Sequence, residues 1–281
     1  MMYKRWIQPL VDLMWQASEA VLDIYRTSGD FDVEHKEDDS PLTAADLKSH
    51  SVISAGLQKL TPSLPILSEE SQQITWDERK KWRRYWLVDP LDGTREFIAR
   101  NDEFTINIAL IEESVATLGL VATPALNRLY LGYPAAGICQ LLSSDRPPLN
   151  LACRSMYEGL SGRRPVTLVT SRRHGNERLS SLLTGLEKTF SKLEIRSVGS
   201  ALKLCLLAEG AADFYPRLAP TSEWDIAAAH AVLAAAGGKV LQLDGQPLRY
   251  NTKDSLLNPE FLAIADSVYD WCELTRRISG G

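Results

Sequence analysis

The 281-residue sequence predicts a mixed α/β (α+β) protein built in two parts. Three observations predict it. A long amphipathic helix opens the chain and a capped second helix follows. Short apolar runs with turn signals between them then read as an antiparallel meander. Past about residue 155 the pattern changes to strands alternating with helices.

The first helix is expected over about residues 3–27. Ile7, Leu10, Val11, Met14, Val21 and Leu22 share one face, and Gln8, Asp12, Gln16 and Glu19 interrupt the apolar stretch. Those interruptions predict a helix of the folded protein rather than a secretion signal. No apolar run reaches the ~20 residues of a membrane span. A polar loop, GDFDVEHKEDDSPLTAAD, comes next; in it Thr43 caps a second helix with Asp46 at the fourth position of a capping box, and that helix ends before Pro62. Pro65 to Ser68 reads as a short strand running into Glu69 and Glu70, and TWDERKKWRR as a solvated loop or turn. WLVD forms a strand ending on Asp89, and FTINIALI, TLGLVATP, RLYLGY and GICQLL form the meander, laid on the N-terminal helices.

The polar stretch beginning SSDRPPLN marks a boundary between an N-terminal α+β domain, residues 1–155, and a C-terminal α/β domain, residues 156–281. In the second, VTLVTS, KLEIRSV, ADFYPR, KVLQL and FLAIA read as strands. Residues 175–186, SALKLCLLAEG, WDIAAAHAVLAAAGG and the C-terminus read as helices.

Hydrophobic residues make up 44% and charged residues 24%, enough apolar content for a sizeable core. The net charge of −5 argues against a general nucleic-acid binder. It leaves room for an anionic small molecule at a locally cationic site. Cys139, Cys153, Cys205 and Cys272 form no C-x-x-C pair, which predicts reduced thiols in a cytoplasmic protein.

The chemistry is carried by carboxylates at strand ends and helix starts. Glu69 and Glu70 follow one strand, Asp89 another, Asp92 lies in the turn after it, and Asp225 opens the long C-terminal helix. Singly, each has an ordinary explanation: a turn Asp bonds its own backbone, and an Asp in a first helical turn complements the macrodipole. Clustered, they could not all stay ionised without a cation between them. Oxygen-only ligation points to Mg²⁺ or Mn²⁺ rather than Zn²⁺. A hydroxyl and backbone amides beside them, from Thr94 and Gly93, suit metal-assisted attack of water on phosphorus.

LVDPLDGTREF resembles the D-P-[IL]-D-G-T-x-[EN]-F signature of the lithium-sensitive, magnesium-dependent phosphatases of the inositol monophosphatase superfamily. SEES before it and EWDIAAAHAVLAAAGG after it resemble that superfamily's other two motifs, in order. DDSPLTAAD, the SRRH segment and VGSALKLCLLAEGAADFYPRLAPTSEWD are similar to its 3′(2′),5′-bisphosphate nucleotidase branch. The resemblance implies a layered α/β/α/β/α sandwich with the active site where the two halves meet. It implies two or three Mg²⁺ ions, with Mn²⁺ as a substitute. Glu69, Asp89 and the Leu91 carbonyl hold the first, Asp89, Asp92 and Asp225 the second, and Glu69 reaches toward a third. Gly93 and Thr94 grip the scissile phosphate, Thr94 and Glu69 orient the attacking water, and Thr43 with Asp46 supports them. Leu91, Asp92, Glu69 and Asp225 also border the substrate, and His174, Ser200, Lys203 and Arg217 contact the nucleotide and its second phosphate.

Read from the residues alone, His174 is equally an exposed histidine at a helix start, and Lys203 a surface lysine whose stem packs on apolar neighbours. His230 reads as a core or cap histidine. The activity implied is removal of the 3′-phosphate of 3′-phosphoadenosine 5′-phosphate, giving AMP and phosphate, with 3′-phosphoadenylyl sulfate as a further substrate. The competing readings are an inositol or sugar monophosphatase with the same metal chemistry, and a non-catalytic nucleotide- or RNA-binding relative. The partner expected is a small bisphosphate nucleotide, with no nucleic acid and no integral membrane contact. Peripheral association with the cytoplasmic face of the inner membrane, and a monomeric or homodimeric state, are both found in that branch.

Overall fold

The structure, a computed structural model, describes residues 4–27, 33–35, 41–71, 74–172 and 176–279. The chain begins with α1 (Lys4–Tyr25), a small antiparallel ribbon of β1 (Val33–His35) and β2 (Pro41–Thr43), and α2 (Ala44–Leu60). Then come β3 (Ile66–Ser68), α3 (Trp76–Arg79), β4 (Arg84–Asp92), α4 (Thr94–Ile98), β5 (Thr105–Glu112), β6 (Val115–Thr123), β7 (Arg128–Tyr133), β8 (Ile138–Leu142) and β9 (Leu149–Asn150). The remainder comprises α5 (Tyr157–Leu160), β10 (Val166–Ser171), α6 (Glu177–Thr189), β11 (Leu193–Val198), α7 (Leu202–Ala208), β12 (Phe214–Arg217), α8 (Glu223–Ala235), β13 (Lys239–Gln242), β14 (Phe261–Ile264) and α9 (Trp271–Ser279).

Strands β3 to β9 form one sheet in chain order. It is antiparallel except at β3 and β4, which pair in parallel across the crossover that holds α3. The second sheet has the order β11-β10-β12-β14-β13 and is mixed. Three apolar cores stack through the molecule. One face of the first sheet (Trp86, Val88, Ile106, Ile108, Leu120) packs on α1 and α2. Its other face (Leu87, Ala109, Val121, Tyr130) meets α7 and α8, which also pack against Val169, Tyr215 and Ala263 of the second sheet. The far face of that sheet (Val166, Leu168, Phe214, Leu262) is covered by α6 and α9. Alternation of side chains along each strand thus yields the α/β/α/β/α layering.

Helix α8 explains its own composition. A helix between two sheets must be apolar all round, and Ile226, Ala227, Ala228, Ala229, Ala231, Val232 and Leu233 are all buried. Small residues let it come close. A Cβ on Gly119 would lie 2.1 Å from the Ala228 carbonyl oxygen, and one on Gly132 would lie 2.3 Å from the Val232 Cα.

Two polar stretches differ from expectation. Part of the first loop forms the β1–β2 ribbon. TWDERKKWRR contains α3, and its Arg79 is only 2% exposed. The Arg79 guanidinium donates to Asn251 Oδ1 at 2.8 Å and to the Lys253 carbonyl at 3.1 Å, while Asn251 Nδ2 returns a bond to the Arg79 carbonyl at 2.7 Å. The Asn251 amide donates to both Glu223 oxygens at 3.0 and 2.9 Å. A segment this polar reads as solvated because its burial depends on partners far away in the chain.

Gly132→Ala should lower stability by about 1–3 kcal/mol, because the added methyl has no space between sheet and helix. Urea denaturation checks this; an unchanged midpoint would show that α8 shifts freely on the sheet.

Candidate active site

The site forms where β4 loses register. Asp89 pairs with Asn107 and Asp92 with Thr105, and the ladder slips between them. Pro90 has no N–H to continue it. The bulged segment is held from both sides: Ser49 of α2 donates to the Pro90 carbonyl at 2.7 Å, and the Leu91 amide donates to Asp89 Oδ1 at 3.0 Å. Gly93 then turns the chain with φ +89°, a left-handed conformation that favours glycine, and α4 begins.

Helix α2 positions the neighbouring groups. Asp46, 2% exposed, accepts from the Thr43 amide and hydroxyl through Oδ2 at 2.8 and 2.7 Å. Its Oδ1 accepts from the Thr94 hydroxyl at 3.2 Å, so the cap of one helix orients the first residue of another. The Thr94 hydroxyl also lies 3.3 Å from the Leu91 carbonyl. His50 Nδ1 meets the Ser68 hydroxyl at 2.9 Å, and the Glu69 amide donates to the Val88 carbonyl at 3.1 Å. These contacts bring Glu69 to the end of β4. Asp225 arrives on α8, where its Oδ2 accepts from the Ser222 amide at 2.9 Å.

A cavity of about 420 Å³ opens between these elements. Glu69, Asp92, Gly93, Thr94, Ser200, Lys203, Arg217 and Asp225 all line it. Asp89, 1% exposed, is buried behind its lining, with Thr43 and Asp46 deeper in the scaffold. Burial raises the Asp89 pKa well above the carboxylate range, and the charges of Glu69, Asp92 and Asp225 raise it further. Asp225 is raised by burial, then by Asp92 and Glu69. Asp92 rises to about 6 through burial, against the pull of the Lys203 charge.

Two buried cations share this lining. Lys203 and Arg217 are each 6% exposed, which excludes the surface-lysine reading. Burial lowers the Lys203 pKa to about 8 despite Asp92 nearby. Its Nζ donates to the carbonyls of Ser200 at 2.5 Å and Val198 at 3.3 Å. Arg217 donates to the carbonyls of Ala219 at 3.0 Å and Pro220 at 2.5 Å. Among the described residues neither makes a contact ion pair with a carboxylate.

His174 lies outside the described residues. His230 is a core histidine: its Nδ1 meets the Tyr250 hydroxyl at 2.8 Å, and burial lowers its pKa to about 4. Arg172 of the SRRH segment lines the cavity, and so do Pro41, Arg95, Glu96, Tyr215, Trp224 and Leu257, which lie outside the expected site. Trp224 carried a signal, sitting inside the EWD motif. Leu257 carried none, since it reaches the site only because its backbone bridges to Ser222.

The donor set suits a hard divalent cation: four carboxylates and backbone carbonyls, with the neighbouring acids raising the pKa of Asp89 and Asp225. Two buried side chains beside it have polar atoms without protein partners, Asn107 opposite Asp89 and Ser200 in the lining, as groups facing a hydrated ligand would. Among the described residues no three of the acids converge into a closed cage. Asp89 and Asp225 are instead turned toward the amides of Leu91 and Ser222.

Residues 2–269 match the inositol monophosphatase family. The chain is 42% identical to the 3′(2′),5′-bisphosphate nucleotidase CysQ of Salmonella typhimurium, over 91% of this chain and 98% of that protein, and equally to that of Escherichia coli K12. Among solved structures it is similar to CysQ from Bacteroides thetaiotaomicron, with TM-score 0.79, 37% identity and coverage of 92% of this chain and 96% of that one. The Thermotoga maritima IMPase shares the fold at TM-score 0.75 and 21% identity, covering 98% of each chain.

Asp225→Asn should raise the urea midpoint of chelator-treated protein, because an amide keeps the Ser222 bond and removes one of the repelling charges. A lower midpoint would show that the charges do not oppose one another in the folded state.

Proposed function

The chain belongs to the inositol monophosphatase family, and from that premise we propose that it is a phosphatase removing the 3′-phosphate of 3′-phosphoadenosine 5′-phosphate to give AMP and phosphate, with 3′-phosphoadenylyl sulfate as a second substrate. One observation supports the nucleotide above all. Two buried cations, Lys203 and Arg217, are held by backbone carbonyls in the cavity that also contains the acidic cluster. Buried charges need compensation, and a substrate with a second anionic group supplies it. A polyol monophosphate does not.

In this reading Glu69, Asp89, Asp92, Asp225 and the Leu91 carbonyl hold two Mg²⁺ ions, with Mn²⁺ as a substitute and a third ion near Glu69. Bound there, Mg²⁺ supplies Lewis acidity, making water a better nucleophile and screening the phosphate oxygens. The chain does the positioning. The Thr94 hydroxyl has its proton engaged by Asp46 or the Leu91 carbonyl, so its lone pairs face the cavity as acceptors for the attacking water. Glu69 accepts a proton from that water. The amides of Gly93 and Thr94 hold the phosphate in line, and the left-handed turn at Gly93 lets the backbone approach it. Water oxygen bonds to phosphorus as the bond to the ribose 3′ oxygen breaks, and that oxygen leaves with a proton from solvent on the Asp225 side. His174, Ser200, Lys203 and Arg217 hold the nucleotide and its 5′-phosphate.

We place this activity in the cytoplasm, where four cysteines free of disulfides are at home. Among the described residues no helix is long and apolar enough to cross a membrane.

Asp89→Asn should fold and reduce turnover by several orders of magnitude; a normal rate would remove it from the metal set. EDTA should abolish phosphate release and added Mg²⁺ restore it, with activity in stripped protein ending the metal proposal. Phosphate release from 3′-phosphoadenosine 5′-phosphate should exceed that from inositol 1-phosphate or fructose 1,6-bisphosphate by about a hundredfold, and Lys203→Ala should raise KM for the bisphosphate far more than for adenosine 3′-monophosphate. Comparable rates on the polyol phosphates would withdraw the nucleotide pocket.

A further inference from the structure

We propose that Glu103 is a positioning residue: it clasps the first half of the chain to the second beside the cavity and sets the backbone corner on which Lys203 depends. This inference rests on the nucleotide reading above, since it concerns how the second anionic group is met.

Glu103 sits in the loop between α4 and β5, and the loop is held in an unfavourable shape. Arg100 and Asp102 are both left-handed, with φ of +52° and +65°. One side is anchored on the end of α1. The Tyr25 hydroxyl donates to Asp102 Oδ1 at 2.8 Å, and Arg100 donates to the carbonyls of Tyr25 at 2.6 Å and Thr27 at 2.8 Å. The Tyr25 ring packs edge-on to Phe104 at 4.8 Å.

The other side reaches across to the second sheet. Glu103 Oε2 accepts from the Gly199 amide at 2.7 Å and from Arg172 Nε at 3.2 Å, and Oε1 accepts from Arg172 Nη2 at 2.7 Å. An exposed ion pair alone contributes little. This carboxylate also satisfies a backbone amide at the end of β11, and that bond is the part that positions.

Gly199 and Ser200 form the corner leading into α7. Ser200 is left-handed at φ +47°, and a Cβ on Gly199 would lie 2.9 Å from both the Glu103 carbonyl oxygen and Glu96 Cγ. The same corner abuts the phosphate loop, for a Cβ on Gly93 would meet the Glu103 carbonyl oxygen at 3.2 Å and Ser200 Cβ at 3.4 Å. Lys203 donates back to the Ser200 and Val198 carbonyls of this corner. Gly199, Ser200, Lys203 and Arg172 line the cavity, whereas Glu103 does not. It acts through them.

The test is steady-state kinetics with 3′-phosphoadenosine 5′-phosphate and adenosine 3′-monophosphate. The wild-type chain comes first: failure to prefer the bisphosphate overturns the nucleotide reading itself, before any substitution. Given that preference, Glu103→Ala should raise the ratio of the two KM values, bisphosphate over monophosphate, at least tenfold. Glu103→Gln keeps an acceptor for the Gly199 amide and should recover most of the wild-type ratio. Equal KM changes for both substrates, no change for either, or a Gln variant no better than Ala would each overturn the clasp. Should Glu103→Ala not fold, Gly199→Ala displaces the corner directly; a wild-type KM ratio in that variant overturns the inference as well.

Discussion

Mutual repulsion among Glu69, Asp89, Asp92 and Asp225 is the constraint around which the structure is arranged. Burial in a low-dielectric crease raises Asp89 and Asp225 far from their ordinary range, and the neighbouring acids raise them further. No isolated turn or helix end would hold them there. They stay together because each is carried by an element with its own reason to be in place: Glu69 by the parallel pairing of β3 with β4, Asp89 and Asp92 by the bulge beside Pro90, and Asp225 by α8.

Packing far from the cavity therefore sets the geometry within it. Helix α8 can bring Asp225 to the cluster only because Gly119 and Gly132 leave the sheet bare where it lies. Helix α2 serves three points of the site along one face, through Asp46, Ser49 and His50. The start of α8 is braced from behind by Asn251, which links buried Glu223 to buried Arg79. Apolar layers supply the rigidity, and the few buried polar contacts decide where the functional groups stand.

Acids, the turn at Gly93 and two buried cations share one cavity, and the charges of Asp92 and Lys203 act on each other within it. Glu69, Asp89 and Asp92 come from the first sheet, just after β3 and on β4, whereas Asp225, Lys203 and Arg217 come from the second half of the chain. Glu103 lies outside the lining but ties the first sheet to the corner beneath Lys203.

Much of this was legible in the sequence wherever the determinant is local. Strand and helix periodicity, the Thr43–Asp46 capping box, the turn at Gly93 and the contiguous run from Asp89 to Thr94 depend on near neighbours, and they are present as read. Asp225 was found because it carries a motif, not because the chain shows it approaching Asp89. What only the tertiary structure decided is burial and partnership at long range. Lys203 and Arg79 look like surface cations until the layers close over them, and the polar segment around Arg79 has no local sign of docking. Glu103 is one acid among many until Gly199 and Arg172 arrive from the other half. The physical reason is the same in each case: backbone conformation is set by adjacent residues, whereas the environment of a charge is set by whatever surfaces the fold brings against it.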